Sequence, residues 1–125
     1  MIAVDTSTWI AYLQGEEALD TGLLDQALAE RQVLMVPAVL TELMSDPKLG
    51  VDVRELLEQI PPIDLLAGYW IRAGLLRAMV LKKKRKARLG DALIAQCCLD
   101  RQIPLLTRDE DFKNFVEAAG LELSI

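Results

Sequence analysis

Short apolar runs alternate along this chain with longer segments whose apolar residues recur at helical spacing. Each run is only a few residues long, and the first ends directly at an acidic residue, Asp5. Runs of this length predict buried strands, whereas the helical spacing predicts amphipathic helices. The predicted strands are residues 2–4, 33–36, 63–65, 104–107 and 121–124. The alternation predicts an α/β fold with a mostly parallel central sheet of four to five short strands flanked by helices.

Helix-starting and helix-stopping residues divide the intervening sequence. Pro37 suits a first helical turn, and Pro61-Pro62 stop the helix before them. Gly90 is expected to interrupt the chain before a helix that Asp91 opens. The predicted helices are residues 9–13, 19–31, 37–44, 51–59, 66 into a basic run, 92–99, and a short one from 109 to 119. No repeat or linker divides the chain, so residues 1–125 are expected to form one domain.

Four acidic residues lie just after predicted strands or early in the helices that follow them: Asp5, Glu42, Asp91 and Asp109. A parallel sheet gathers such positions at one edge, where carboxylates about 4 Å apart repel by roughly 4 kcal/mol per pair at an effective dielectric constant near 20. A bound cation removes that cost. Because the chain has no histidine, the ligands are carboxylates alone, which suit Mg²⁺ or Mn²⁺. We therefore predict that these four residues hold the metal and carry catalysis.

The same residues also have a purely structural explanation. Three of the four acids precede predicted helices, where aspartate caps free backbone amides, and Glu42 fits a solvated helix position. Ser7 and Thr107 flank the predicted site, and each hydroxyl either orients a ligand or water or forms a local cap. Both explanations stay open on the sequence alone.

The charge of the chain is uneven. Its net charge is −5 and its pI is near 4.7, which opposes loose binding to nucleic acid. Nevertheless, six of the fourteen basic residues fall in one short segment. We predict that this segment contacts the phosphates of a nucleic acid, although a solvated helix end would show the same composition. Its residues are Lys82, Lys83, Lys84, Arg85, Lys86 and Arg88.

Several other chemistries are disfavoured by composition. The chain has no Ser–His or Cys–His pair and no phosphate-binding glycine loop, so hydrolysis by metal-activated water is the reaction it supports. Cys97 and Cys98 are adjacent, which disfavours a disulfide between them. The N-terminus lacks the features of a signal peptide, and no apolar run reaches about 20 residues. We therefore expect a cytoplasmic protein.

Four segments, in order along the chain, resemble the motifs of PIN domains. They are residues 2–10, 36–43, 89–95 and 105–112, and they carry the four acids named above. Asp111 occupies a possible auxiliary position in the last segment. The compact length is similar to that of VapC-type toxins. The resemblance implies a Mg²⁺- or Mn²⁺-dependent endoribonuclease, a homodimer, and inhibition by a small cognate antitoxin protein.

Other functions remain as alternatives. A PIN nuclease can serve in RNA processing without being a toxin. A receiver-like phosphoacceptor module is also a parallel α/β domain that binds Mg²⁺, but it requires an acidic pair after the first strand and a lysine after the last one. Here Asp5 is followed by Thr6-Ser7, and no lysine follows residues 121–124. Ser7 also disfavours an Asp-x-Asp phosphatase, and the presence of all four acids disfavours an inactive scaffold.

Overall fold

Three short parallel strands form the centre of the fold in the computed structural model, which describes residues 1–125. They are β1 (Ile2–Val4), β2 (Val33–Leu34) and β3 (Leu105–Leu106), in the order β2-β1-β3. Ala3 pairs with Leu34 on one side and with Leu105 on the other. The strands are buried on both faces, as is usual for a parallel sheet with helices on either side.

The sheet has three strands rather than the predicted four to five. The two missing strands are reduced to single bridges, Met35 with Pro62 and Leu105 with Leu123. At the first, the Met35 amide donates to Pro61 (2.8 Å) and the Ile63 amide donates to Met35 (2.9 Å). Proline has no N–H to continue such a ladder. At the second, Leu105 uses both of its outward backbone groups, and Leu106 forms no such bond with the C-terminal segment.

Seven α-helices surround the sheet, and a 3₁₀ turn at Glu110–Phe112 precedes the last of them. Two boundaries differ from the prediction in a way that matters for the site. Gly90 does not interrupt the chain but lies inside the sixth helix, and Asp91 sits in the first turn of that helix rather than before it. The helices are α1 (Thr6–Leu13), α2 (Leu19–Ala29), α3 (Pro37–Met44), α4 (Val51–Gln59), α5 (Tyr69–Lys82), α6 (Leu89–Arg101) and α7 (Lys113–Ala119).

One hydrophobic core joins the sheet to the helices on both faces. Trp9, Phe112 and Phe115 are among its largest fully buried side chains. Trp9 is therefore a packing residue, and its ring meets that of Tyr12 edge-to-face. Cys97 and Cys98 are buried and free, which confirms that they form no disulfide. None of the helices combines the length and the apolar character needed to cross a bilayer.

Candidate metal centre

Asp5 lies directly after β1, at the carboxyl edge of the sheet, and only 4% of its surface is exposed. Although it precedes α1, its side chain makes no capping hydrogen bond. Its Oδ2 instead accepts from Ser7 Oγ at 2.6 Å and from Thr107 Oγ1 at 2.9 Å. The capping explanation therefore does not apply to Asp5, and the two flanking hydroxyls fix the orientation of its carboxylate.

The turn after β3 carries the next two acids. The amide of Asp109 donates to Thr107 Oγ1 at 3.0 Å, and the amide of Asp111 donates to Asp109 Oδ1 at 2.9 Å. Asp109 thus caps the 3₁₀ turn, as the structural explanation predicted for it. Because Thr107 also donates to Asp5, this single hydroxyl connects the turn to the end of β1.

Asp91, in the first turn of α6, lies at the same carboxyl edge of the sheet as Asp5 and Asp109. Its Oδ2 is buried and has no hydrogen-bond partner. Burial raises the pKa of Asp91 to about 6, with further upward contributions from Asp5, Asp109 and Asp111 that outweigh the opposing charge of Arg88. An ionised carboxylate held in this way is unfavourable without a cation, so the orphaned oxygen fits a metal ligand.

The structure brings three of the carboxylates together. Asp91, Asp109 and Asp111 each offer an oxygen, and these oxygens lie within 4.8 Å of one another. Asp5 lies outside this group but contributes to the raised pKa of Asp91. Asp111, which the sequence suggested only as an auxiliary residue, is therefore a full member of the cluster. All-carboxylate donors of this kind suit a hard divalent ion.

Glu42 approaches the cluster from α3. It is exposed, and its Oε1 accepts from Thr6 Oγ1 at 3.0 Å. A Cβ added at Gly90 would lie 3.9 Å from the same Oε1, so the Glu42 carboxylate lies against the start of α6. Glu42 is thus beside the residue that precedes Asp91, but not within the group of three.

The ion pairs around the cluster are unevenly placed. Asp111 Oδ2 lies 3.2 Å from Lys86 Nζ, whereas none of the four acids first predicted has an ion-pair partner. Arg108, although adjacent to Asp109 in sequence, pairs with Asp20 and Glu16 instead. No local sequence pattern indicates these pairings, because they join residues far apart along the chain.

The predicted nucleic-acid-binding segment runs from the end of α5 through a connecting loop to the start of α6. All six of its basic residues are exposed. Two of them form ion pairs: Lys86 pairs with Asp111, and Arg85 lies 3.8 Å from Glu117. The Lys86 carbonyl also accepts from Asn114 of α7 at 3.0 Å. The remaining four, Lys82, Lys83, Lys84 and Arg88, make no salt bridge.

The family model of the PIN domain matches residues 2–118 of the chain. The chain belongs to the PIN domain family. This membership bears out the resemblance seen in the sequence motifs, and it excludes a receiver-like module.

Individual relatives agree with this membership. Ribonuclease VapC5 of Mycobacterium tuberculosis (strain ATCC 25618 / H37Rv) is 29% identical over 127 residues, covering 96% of this chain and 91% of the relative. The crystal structure of VapBC-5 from M. tuberculosis, a member of the VapBC family of toxin–antitoxin systems, contains a chain that is 26% identical, with a TM-score of 0.65 and coverage of 98% and 95%.

Two further crystal structures share the fold at lower identity. One is VapBC2 from Rickettsia felis bound to a DNA fragment from its promoter. Its TM-score is 0.73 and its identity 21%, and the match covers 99% of this chain and 98% of that chain. The other is FitAcB from Neisseria gonorrhoeae, with a TM-score of 0.71, 19% identity and coverage of 99% and 97%. At these identities the likeness establishes the PIN fold alone.

Proposed function

We propose that this chain is a divalent-metal-dependent endoribonuclease and the toxin of a VapBC-type toxin–antitoxin pair, with one catalytic domain spanning residues 1–125. The observation that carries the nuclease proposal is the cluster of Asp91, Asp109 and Asp111 with its unpartnered buried oxygen, in a member of the PIN family. The toxin proposal is supported by the similarity to Ribonuclease VapC5 and to VapBC-5.

Each residue of the site has a proposed role. Asp91, Asp109 and Asp111 would hold Mg²⁺ or Mn²⁺, and Asp5 and Glu42 would complete the acidic edge around them. A bound divalent ion supplies Lewis-acid polarisation of a phosphodiester and lowers the pKa of a coordinated water. Ser7 and Thr107 orient Asp5 through the hydrogen bonds described above. Because the chain has no histidine, no imidazole takes part.

The exposed basic residues are the proposed contacts for RNA. Lys82, Lys83, Lys84 and Arg88 are free to bind phosphates, whereas Arg85 and Lys86 are engaged with Glu117 and Asp111. The loop reaches the acidic cluster through Lys86, so phosphates bound by its free cations would lie near the metal. The six residues predicted from sequence therefore divide into four substrate contacts and two anchors of the loop.

Cleavage of a defined single-stranded RNA panel tests the nuclease proposal. Cleavage is expected with Mg²⁺ or Mn²⁺ and not with EDTA, and Asp91→Asn should abolish it. Asp52→Asn is the matched control, because Asp52 is also an aspartate in the first turn of a helix but is exposed on α4. Parental cleavage by Asp91→Asn, or equal loss in Asp52→Asn, would contradict the assigned site.

A homodimer is proposed from the composition of α5. Tyr69, Ala73, Leu76 and Val80 are buried on one face of this helix. Large apolar side chains are exposed on the opposite face: Trp70, Ile71, Leu75 and Met79. A contiguous patch of large exposed apolar side chains often marks a protein–protein interface, and such a patch can pack against its own copy about a two-fold axis.

Light scattering after size exclusion tests the dimer. Ile71→Asp should halve the measured mass, whereas Leu19→Asp, an equally exposed leucine on α2, should not. A parental mass in the Ile71→Asp variant would exclude this face as the dimer interface.

An antitoxin is proposed as the second protein partner. A cavity of about 620 Å³ lies between α1, α2 and α4, and most of the residues that line it are apolar, including Leu13, Leu28, Leu56 and Ile60. A groove of this character suits the apolar face of an amphipathic helix.

The proposal also assigns the protein to the cytoplasm, where its RNA substrate is found.

A PIN nuclease of RNA processing is the second candidate function. Induced expression in a bacterial host separates the two. A toxin should arrest growth unless Asp91 is replaced by Asn, whereas a processing nuclease should leave growth unaffected and alter the ends of particular RNAs.

A further inference from the structure

The turn that carries Asp109 and Asp111 has a second anchor, on the side away from the cluster. Arg108 Nε and Nη2 donate to the two oxygens of Asp20, each at 2.8 Å. Its Nη1 donates to both oxygens of Glu16, at 2.9 and 3.0 Å. One guanidinium therefore joins the turn after β3 to the start of α2 and to the segment between α1 and α2.

The Asp20 end of this link is buried and fully engaged. Asp20 is 6% exposed, and its Oδ2 also accepts from Thr8 Oγ1 of α1 at 2.9 Å. The hydrogen bonds from Arg108 are the largest cause of the low pKa of Asp20, which is about 2. Glu16, by contrast, is exposed. The planar fork of an arginine matches a carboxylate bidentately, so the Arg108–Asp20 pair fixes direction as well as distance.

The turn requires this attachment because electrostatic repulsion among the clustered carboxylates favours its displacement from Asp91. The oxygens of Asp91, Asp109 and Asp111 lie within 4.8 Å of one another, and like charges at this separation repel. On the cluster side, the turn is attached to β1 by the bond from Thr107 to Asp5. It also follows a strand of only two residues. Repulsion would therefore displace the turn from Asp91 unless contacts on the side away from the cluster opposed it.

We propose that Arg108 is a positioning residue for the metal centre: by binding Asp20 and Glu16 it holds the 107–111 turn so that Asp109 and Asp111 face Asp91. The inference rests on the proposed function for the identity of the bound cation. In this role Arg108 acts on the metal centre through the turn, by its hydrogen bonds to Asp20 and Glu16. Its contribution is to keep the carboxylates assembled before a cation arrives, which makes binding tighter because less rearrangement is required.

Metal affinity, measured on the folded full-length chain by calorimetric titration with Mn²⁺, tests this role. Arg108→Lys keeps the positive charge beside Asp20 but loses the planar fork. We expect Mn²⁺ to bind roughly 10- to 100-fold more weakly, the range usual when a residue that orients metal ligands is replaced. The kcat for RNA should fall while KM for RNA stays at the parental value.

Arg72→Lys is the matched control. Arg72 Nε donates to Asp100 Oδ1 at 3.1 Å and its Nη2 to Oδ2, and Asp100 has a second donor in Gln96. This pair has the same chemistry but joins α5 to the far end of α6 from Asp91. Arg72→Lys should lower the thermal midpoint without weakening Mn²⁺ binding.

Asp20→Asn disrupts the same link from the other side, and it decides the question if Arg108→Lys does not fold. It should weaken Mn²⁺ binding in the same direction. Parental Mn²⁺ affinity in the folded Arg108 or Asp20 variant, or an equal loss in Arg72→Lys, would overturn the positioning role. Failure of the parental chain to bind Mn²⁺ would instead contradict the proposed function.

Discussion

Replacing Asp91 with Asn should stabilise the metal-free protein. In the folded chain, burial and the neighbouring carboxylates raise the pKa of Asp91 from 3.8 to about 6. At about 1.4 kcal/mol per pKa unit, this shift corresponds to roughly 3 kcal/mol of destabilisation once the group is ionised. Because part of the side chain faces solvent, screening reduces the expected gain to about 1–2 kcal/mol. The amide of Asn can also donate to a neighbouring carboxylate.

The pH dependence of this gain has a definite sign. Below pH 3.8 Asp91 is protonated in both the folded and the unfolded chain, so the substitution gains nothing. Between pH 3.8 and about 6 the unfolded chain loses its proton first, and the parental protein loses stability as the pH rises. Above pH 6 the folded chain is ionised as well, and the full gain is present.

Urea unfolding in EDTA at several pH values between 3.5 and 8 measures this effect. Asp100→Asn is the control on the same helix, because Arg72 lowers the pKa of Asp100 and the substitution should therefore destabilise. Adding Mn²⁺ should stabilise the parental protein more than the Asp91 variant. A destabilised Asp91→Asn protein at pH 7.5, or a gain that does not vary with pH, would refute the reasoning.

Substitutions at three neighbouring features give further tests. Thr107→Val removes the hydroxyl that joins the β3 turn to Asp5, and should cost about 1–2 kcal/mol in the free energy of unfolding, measured by urea titration, and reduce cleavage. Gly90→Ala should raise the thermal midpoint or leave it unchanged, because an added Cβ meets nothing nearer than 3.9 Å and alanine favours the helix. Lys83→Gln with Lys84→Gln should weaken RNA binding and reduce the salt slope by about 1.4, or about 0.7 for each lost phosphate contact, whereas Arg85→Gln should leave the slope unchanged.

The elements with strong local signals were predictable from the sequence. The bounds of α4 were predicted to the residue, because Pro61-Pro62 stop the helix. The single-bridge edges of the sheet were not predictable as such, since the alternating apolar and polar residues at 121–124 fit a strand whether one residue pairs or four do. The place of Gly90 was not predictable, because glycine usually interrupts a helix, whereas here it lies in the first turn of α6 next to Glu42.

The candidate site was predictable only in part. The positions of Asp5, Asp91 and Asp109 after strands or at helix starts follow from the alternating topology, and the structure places them at the same edge. The pairing of Lys86 with Asp111 and of Arg108 with Asp20 joins residues 25 and 88 positions apart. No local pattern encodes such contacts, because they depend on how the turn after β3 directs successive side chains to opposite sides.

The single bridge between Leu105 and Leu123 bears on how the protein can be truncated. It occupies the outer backbone groups of a wholly buried strand, and Pro62 protects the opposite edge in a similar way. A deletion that removes residues 121–125 would leave an apolar strand edge open to strands of other molecules. Such deletions are therefore expected to yield aggregates, and point substitutions are the safer means of mapping how this chain meets its partners.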